Sequence, residues 1–498
     1  MQKQLILTVG LMALMTLILA GCQGPSVQEG AQVREPLKTV RLHPENHRYL
    51  EYQGNPVILV TSAEHYGAVV NLDFDYKLYL ETLGMEDFNY TRIFTGTYIE
   101  PVENIFGIEK NTLAPAPDRY LAPWLKENGK YDLGNFNPDF FNRLKDFVKE
   151  AEKQGIIVEV TLFTSIYAEN AWNLCPFNAV NNISGVGDLP FQLVNTLFNG
   201  GLKEYQESYI RKVVRELNDF DNVFYEIQNE PWSDNQNMAG FVNEEDDLVF
   251  HRPWQKKVVL ANEMAMEWQE WVASVIIDEE ASLPVKHLIA QNISNFGYAL
   301  DSMPEGVSII NFHYALPCAA LNNLQIGGVV GLDETGFMPH QDHLYINQAW
   351  RIMLSGAGLY NNLDYSFTAG NEMGTWPIPD TNPGWGGPGF RKKLSILKET
   401  LEQVPFYEME VSDAIVESTA PQLRQYGLQD PGEIYLVFLE NYGSTELVPD
   451  VPASSYMVTW INVDTGETNE EELSLGDGTA ITAPVKDNQV VLMIRKTH

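Results

Sequence analysis

Asp221-Asn222-Val223-Phe224-Tyr225-Glu226-Ile227-Gln228-Asn229-Glu230-Pro231-Trp232 opens on two turn formers, runs through β-branched and aromatic residues, and stops at a proline. Pro231 has no N–H to give a sheet ladder, so the run reads as a buried strand ending in Asn229-Glu230. In a parallel α/β barrel the C-terminal strand ends form the catalytic face. A tripeptide such as Asn-Glu-Pro recurs by chance, and only its strand context gives it weight.

That context extends in both directions. Upstream, Arg41 to Tyr52 and Asn55 to Thr61 read as short strands joined through Gly54-Asn55, the first closing the bottom of a barrel. Val57-Ile58-Leu59-Val60 is expected as the first barrel strand, opening onto Ser62-Ala63-Glu64-His65-Tyr66. Helical spacing from Phe74 to Met85 precedes a strand from Asn89 to Phe94. Phe140, Leu144, Phe147, Val148 and Ala151 then make one helical face, and Ile156 to Phe163 is the next strand. A helix around Tyr205 to Leu217 leads into the opening stretch. Downstream, a long helix is expected from Trp254 to Ile277, then strands at His287–Asn292, Val307–His313, Val329–Leu332 and Gly358–Leu363.

Eight strand-like runs alternating with helices predict an α/β fold, a closed (β/α)8 TIM barrel, rather than an open doubly wound sheet. No Gly-rich dinucleotide turn follows the first strand and no Walker sequence occurs, which argues against nucleotide chemistry. The long connections Gly96–Asn137, Thr164–Gly201 and Ser233–Pro253 all follow strands and are expected to wall the barrel mouth. From about Val404 the pattern changes to short strands with turn signals, read as a small all-β sandwich packed on the barrel.

At the N-terminus, Lys3 precedes an apolar run from Leu5 to Ala20, too short and one-sided for a spanning helix and read as an export signal. The run ends in Leu19-Ala20-Gly21-Cys22, which resembles the lipobox of bacterial lipoproteins; this implies cleavage before Cys22 and lipidation of its thiol. The expected organisation is a signal at 1–22, a flexible tether at 23–38, the barrel at 39–405 and the β-sandwich at 406–498. Such a protein is exported and held in the cell envelope, with the outer membrane as the expected location. Contact with the membrane comes through the lipid alone.

The formal charge of −35 opposes nucleic acid and anionic membrane surfaces at long range, and weakly disfavours polyanionic glycans. Cys175 and Cys318 have no paired metal spacing, and buried free thiols are favoured over a disulfide. The run Glu244-Glu245-Asp246-Asp247 reads as a solvated loop.

A second acidic strand end completes the chemistry. Gly327-Gly328-Val329-Val330-Gly331-Leu332-Asp333-Glu334 is an apolar strand closing on two acids. Counted from Val57, Glu230 ends the fourth strand and Glu334 the seventh, across the mouth from one another. Cleaving a glycosidic bond requires a proton donor on the leaving oxygen and a carboxylate at the oxocarbenium centre; a separation of about 5 to 5.5 Å lets the second attack directly. Glu230 is expected to be the acid/base, its pKa raised by its neighbour's charge, and Glu334 the nucleophile, kept ionised by hydrogen bonds. Two carboxylates suffice, so no metal or organic cofactor is expected and the partner is a carbohydrate.

With these strand ends in view, the chain from about Val57 to Pro405 resembles the clan A glycoside hydrolases, near the cellulase-like enzymes of family 5. The resemblance implies retaining hydrolysis of a β-glycosidic bond. It further implies that Asn229 bonds the sugar 2-hydroxyl, that Arg92 holds the nucleophile ionised, and that His313 and Tyr314 lie near it. The family separates that His and Tyr by one residue, whereas here they are adjacent. The histidine that often ends strand three is absent from Leu162-Phe163-Thr164-Ser165. The tryptophan that commonly ends strand eight is replaced by Tyr365 and Phe367, leaving Trp376 and Trp385 as candidate sugar platforms, with Trp232 and His65 as further contacts. A neutral β-glucan or β-mannan is the expected substrate. A glycan-binding lipoprotein without catalysis and a transglycosylase are the alternatives, and retention of both carboxylates disfavours the first.

Overall fold

The apolar runs assemble into a ring of parallel strands. The computed structural model describes residues 38–103, 105–108, 113–242, 252–443, 446–483 and 489–497. The export signal, Cys22, the tether to 37 and the acidic run at 244–247 lie outside these residues. Eight strands form the barrel: β1 Leu59–Ala63, β2 Tyr90–Phe94, β3 Ile157–Thr164, β4 Val223–Asn229, β5 Ile289–Asn295, β6 Ile309–His313, β7 Val329–Glu334 and β8 Leu359–Leu363. Parallel ladders join each to the next from β2 round to β8 and on to β1. Among the described residues no ladder joins β1 to β2. There the Asn89 side chain spans the seam, accepting from Val60 N at 3.1 Å and donating to Ile58 O at 2.7 Å.

Each strand contributes one side chain to an apolar floor: Leu59, Tyr90, Ile157, Phe224, Ala290, Ile309, Val329 and Leu359, sealed from below by Val40 and Leu50. Val40 and Leu50 belong to the hairpin segment whose short strands, Arg41–Leu42, Leu50–Tyr52 and Asn55–Val57, form the expected plug. Val57 pairs with Leu50 in that plug, so the first barrel strand begins at Leu59, two residues later than its sequence suggests. Side chains alternate along a strand, so the next inward layer lies two residues on. It is polar, with Arg92, Glu159, Glu226, Asn292 and Asn311 all buried. Gly331 makes room for it, since a Cβ there would stand 2.2 Å from Asn311 Oδ1.

Amphipathic helices Tyr76–Met85, Pro138–Lys153 and Lys203–Leu217 cover the outside as their spacing predicts. The helix expected from Trp254 is shorter at its start: it spans Glu263–Ala281, capped by Asn262, whose side chain accepts from Ala265 N. Trp254 lies in a 3-10 turn, and Lys257–Ala261 is a strand pairing with Gln236–Phe241 to build one wall of the mouth. The β-branched run Lys257-Val258-Val259-Leu260 favours a strand over the helix that Asn262 begins. No helix among the described residues is long and apolar enough to cross a membrane.

C-terminal to the barrel, a six-stranded antiparallel sheet faces the two-stranded pair Val416–Ser418 and Leu447–Pro449. Strand Ile434–Glu440 shows the period-two logic. Ile434, Leu436 and Phe438 join the barrel's core, while Tyr435, Val437 and Leu439 face the small sheet. Phe438 stacks on Trp350 of a barrel helix at 5.9 Å, and Arg351 pairs with Glu440 at 2.7 Å. Strand Thr468–Leu475, acid-rich and largely exposed at the sheet's edge, has no apolar signature in sequence.

Candidate active site

Strand β4 hands its chain to Pro231 through Glu230, which sits in the left-handed region at φ 48°. Non-glycine residues rarely hold that conformation, and surrounding bonds must fix it. Here Glu230 N donates to Asn292 Oδ1 at 3.2 Å, and Ser165 Oγ donates to Glu230 O at 2.7 Å. The turn aims the carboxylate over the barrel axis.

Strand β7 delivers Glu334 from the opposite side. One oxygen of each carboxylate and a nitrogen of His313 all lie within 4.8 Å of one another. Both glutamates are 8% exposed and open onto one cavity of about 540 Å³. His313 ends β6 and is fully buried, its Nδ1 2.9 Å from Glu230 Oε1 and 3.6 Å from Glu334 Oε1. Tyr314 follows at φ 55°, so two adjacent residues both reach the pair. Its hydroxyl lies 3.0 Å from Glu230 and 3.1 Å from Glu334, and its single proton serves one of them at a time.

Arg92 reaches Glu334 Oε2 at 3.1 Å, the contact the resemblance implies, but its principal partner is Glu226, which it grips through Nε at 2.7 Å and Nη2 at 2.6 Å. It also donates to Asn229 Oδ1, and Asn229 in turn donates to the hydroxyl of Tyr167. Asp333, next to Glu334 in the chain, turns inward: it is fully buried, 3.4 Å from Arg92 and 3.3 Å from His313 Nε2. His65 pairs with Glu100 at 3.2 Å and lies flat on Tyr365 at 4.3 Å.

Charge is distributed differently from the sequence expectation. Burial alone would raise the Glu230 pKa, but His313, Tyr314 and Tyr167 outweigh it and hold the carboxyl below its usual range. Glu334 is pushed up to about 7, first by burial and then by the charges of Glu230 and Asp333, against the pull of His313 and Arg92. The expected order, Glu230 raised and Glu334 ionised, is thus inverted. The imidazole accounts for the Glu230 side and burial for the Glu334 side; burial also works against the charge on His313, yet Glu334, Asp333 and Glu230 raise its pKa well above the ordinary range. Glu230, His313 and Glu334, and likewise Glu226, His313 and Asp333, have ligand-type atoms close enough to hold a cation. Arg92 already brings a guanidinium to Glu226, Asp333 and Glu334, and a second cation there meets its repulsion.

No family model matches the chain, and no curated protein matches it in sequence. Solved structures do match. One described as a glycoside hydrolase has a TM-score of 0.60 at 11% identity, covering 92% of this chain and 97% of its own. A glycoside hydrolase family 5 structure from Bacteroides vulgatus ATCC 8482 has a TM-score of 0.60 at 13% identity, over 92% and 94%. A second from that organism, named as a glycoside hydrolase only provisionally, has 0.61 at 14%, over 93% and 83%. The chain shares their fold. At these identities the likeness is one of architecture, and chemistry must be argued from the site.

Within that architecture the structure gathers Glu230, Glu334, Asn229, Tyr314, Trp232, Tyr365 and His65 along the cavity, with Arg92 and His313 directly beneath. Trp376 and Trp385 do not line it. The Trp385 indole donates to Asp342 at 2.8 Å and stacks on His340, outside the mouth. The aromatic walls are instead Tyr98, Phe106, Tyr167, Trp254 and Phe337. Tyr167 was legible in principle, two residues past Ser165 at the end of β3. Its loop is pinned by Asp234, which accepts from Ile166 N and Tyr167 N at 2.7 and 3.0 Å and is raised to about 6 by burial. Cys175 and Cys318 do not form a disulfide with each other; Cys175 is buried, and burial pushes it up to about 12.

Proposed function

We propose that the protein is a retaining glycoside hydrolase acting on β-glycosidic bonds of a neutral polysaccharide or oligosaccharide, of β-glucan or β-mannan type. The observation that carries this is the pair Glu230 and Glu334, with oxygens within 4.8 Å, facing one cavity and bridged by the Tyr314 hydroxyl. Oxygens this near favour the about 5 to 5.5 Å carboxyl separation of direct attack over the about 6.5 to 9.5 Å that accommodates a water for inversion.

In the first step Glu334 attacks the anomeric carbon as Glu230 protonates the departing oxygen. A glycosyl ester on Glu334 is left. In the second, Glu230 takes a proton from water, which opens the ester. Glu230 must carry a proton although its surroundings favour the anion. His313 supplies it: the 2.9 Å contact to Nδ1 is a direct path by which the imidazolium gives its proton to Glu230 Oε1 as the leaving oxygen draws it away. Asn229, fixed by Arg92 and Tyr167, is placed to bond the sugar 2-hydroxyl.

Proton NMR of the first-formed sugar from an aryl β-glycoside tests the proposal. The β-anomer is expected first; an α-anomer would end the double-displacement mechanism. We also propose that lipidated Cys22 anchors the protein in the cell envelope, tested by loss of palmitate labelling and membrane association in Cys22→Ala.

A further inference from the structure

The loops above the barrel form a closed circuit. From β1 to β2 the link is His65 to Glu100 at 3.2 Å, with the Tyr66 hydroxyl donating to Tyr98 O at 3.0 Å. From the β2 loop to the β4 loop it is Arg252, whose Nη1 donates to Phe106 O at 3.0 Å. This strap passes the β3 loop, where Phe106 packs edge-on against Tyr167 at 5.0 Å. From the β4 loop to the β7 loop, Gln255 Nε2 donates to Phe337 O at 3.0 Å, while Arg252 and Trp254 contact the Phe337 ring at 4.7 and 5.1 Å. Phe337 N then donates to Pro383 O in the β8 loop, and Tyr365 stacks back on His65 to complete the ring. Phe106, Arg252, Trp254, Phe337, Tyr365 and His65 all line the cavity, so the circuit is its rim.

An open cleft needs two gaps in such a rim, one for each direction of a polymer. Among the described residues, side-chain and backbone contacts link these loops all the way round, and the carboxylates lie at the bottom. Resting on the hydrolase proposal, we infer that the site is a pocket that takes the non-reducing end of a sugar chain. The sugar attacked by Glu334 presents its anomeric carbon toward the leaving group, which extends out through the mouth. Its opposite side meets the wall, where no further residue can continue. Arg252 is the specificity-determining residue in this account: it touches both the β2 loop, at Phe106 O, and the β7 loop, at the Phe337 ring.

The test starts with a panel of p-nitrophenyl β-glycosides to find the sugar that is turned over. The matching β-linked hexasaccharide, tagged at its reducing end with 2-aminobenzamide, is then digested for less than one turnover per molecule. A single tagged product, shortened from the untagged end by a fixed unit, is expected, and the viscosity of the matching polysaccharide should hold while reducing ends appear. Tagged products of several lengths in the first turnovers would overturn the inference and leave the hydrolase proposal standing. Turnover of no glycoside would remove both. In Arg252→Ala, checked for folding by thermal melt, the ratio of internal to terminal cuts should rise about tenfold, the low end of what pocket contacts contribute to discrimination. An unchanged ratio in the folded variant would overturn the role given to Arg252.

Discussion

Glu226 lies inside β4 and Glu230 just beyond its end, and the donors around them set the two apart. Glu226 is fully buried, with Arg92 and Asn292 on one oxygen and Arg92 and Thr161 on the other. Glu159 is held in the same way by Tyr90 and by Asn311 at 2.7 Å. Glu230 and Glu334 face the cavity, and the Ser233 hydroxyl donates to Glu230 Oε2 at 3.3 Å. The lower carboxylates have both oxygens taken by protein donors; the upper pair open onto the cavity, where the proposed mechanism needs them. Adjacent residues divide along the same line, since Asp333 turns down to Arg92 and His313 while Glu334 turns up to the cavity.

The sharpest way to break this division is through the upper pair. Glu334→Gln should lower kcat on an activated aryl glycoside by about 10⁴-fold or more, as loss of a nucleophile does, with the fold intact by circular dichroism. Residual activity within tenfold of the unsubstituted protein would move the nucleophile elsewhere. In the lower tier the expected currency is stability. Arg92→Met strands Glu226 and Asp333 without their cation and should cost about 3 to 5 kcal/mol in denaturant unfolding, the range for breaking a buried ion pair.

The pH profile links the tiers. In the proposed mechanism attack requires ionised Glu334, which is pushed up to about 7, so kcat/KM should climb about tenfold per unit as pH rises toward 7 and fall again when His313 and Glu230 lose their shared proton. An acid limb centred near 4 would show that Glu334 is ionised far below neutrality. The smallest effect is expected at Glu159→Gln. Burial, together with the charges of Glu226 and Asp333, raises Glu159 well above the usual carboxylate range, so the neutral isostere should shift stability by under about 0.5 kcal/mol.

Sequence revealed the site where it depends on strand ends. Pro231 stops one strand and Asp333-Glu334 closes another, so Glu230 and Glu334 could be placed before any distance was known. Arg92 and the pair His313-Tyr314 came from the family resemblance, on β2 and at the end of β6. The lower tier left a weaker trace: a charged residue flanked by apolar ones, as in Phe224-Tyr225-Glu226-Ile227, marks an inward polar position but does not say what it binds. The wall hairpin was hidden because Gln236–Phe241 carries no strand signature, so Trp254 was absorbed into the following helix. Where the proton rests was not legible at all. It depends on Arg92 choosing Glu226 over Glu334 and on His313 leaning toward Glu230, choices made by three-dimensional packing.

The seam at Asn89 gives the barrel a further property. Among the described residues, ladders of backbone bonds tie seven of the eight interstrand boundaries, while at the eighth the Asn89 amide side chain bonds across to the other strand. In mechanical terms the ring is a hoop with a clasp. A load that widens the hoop concentrates there, between the strand that leads to His65 and the strand that carries Arg92. Asn89 stands just before the floor residue Tyr90, so the clasp acts at the base of the barrel, while His65 with Glu100 and Tyr66 with Tyr98 O span the same boundary at the mouth.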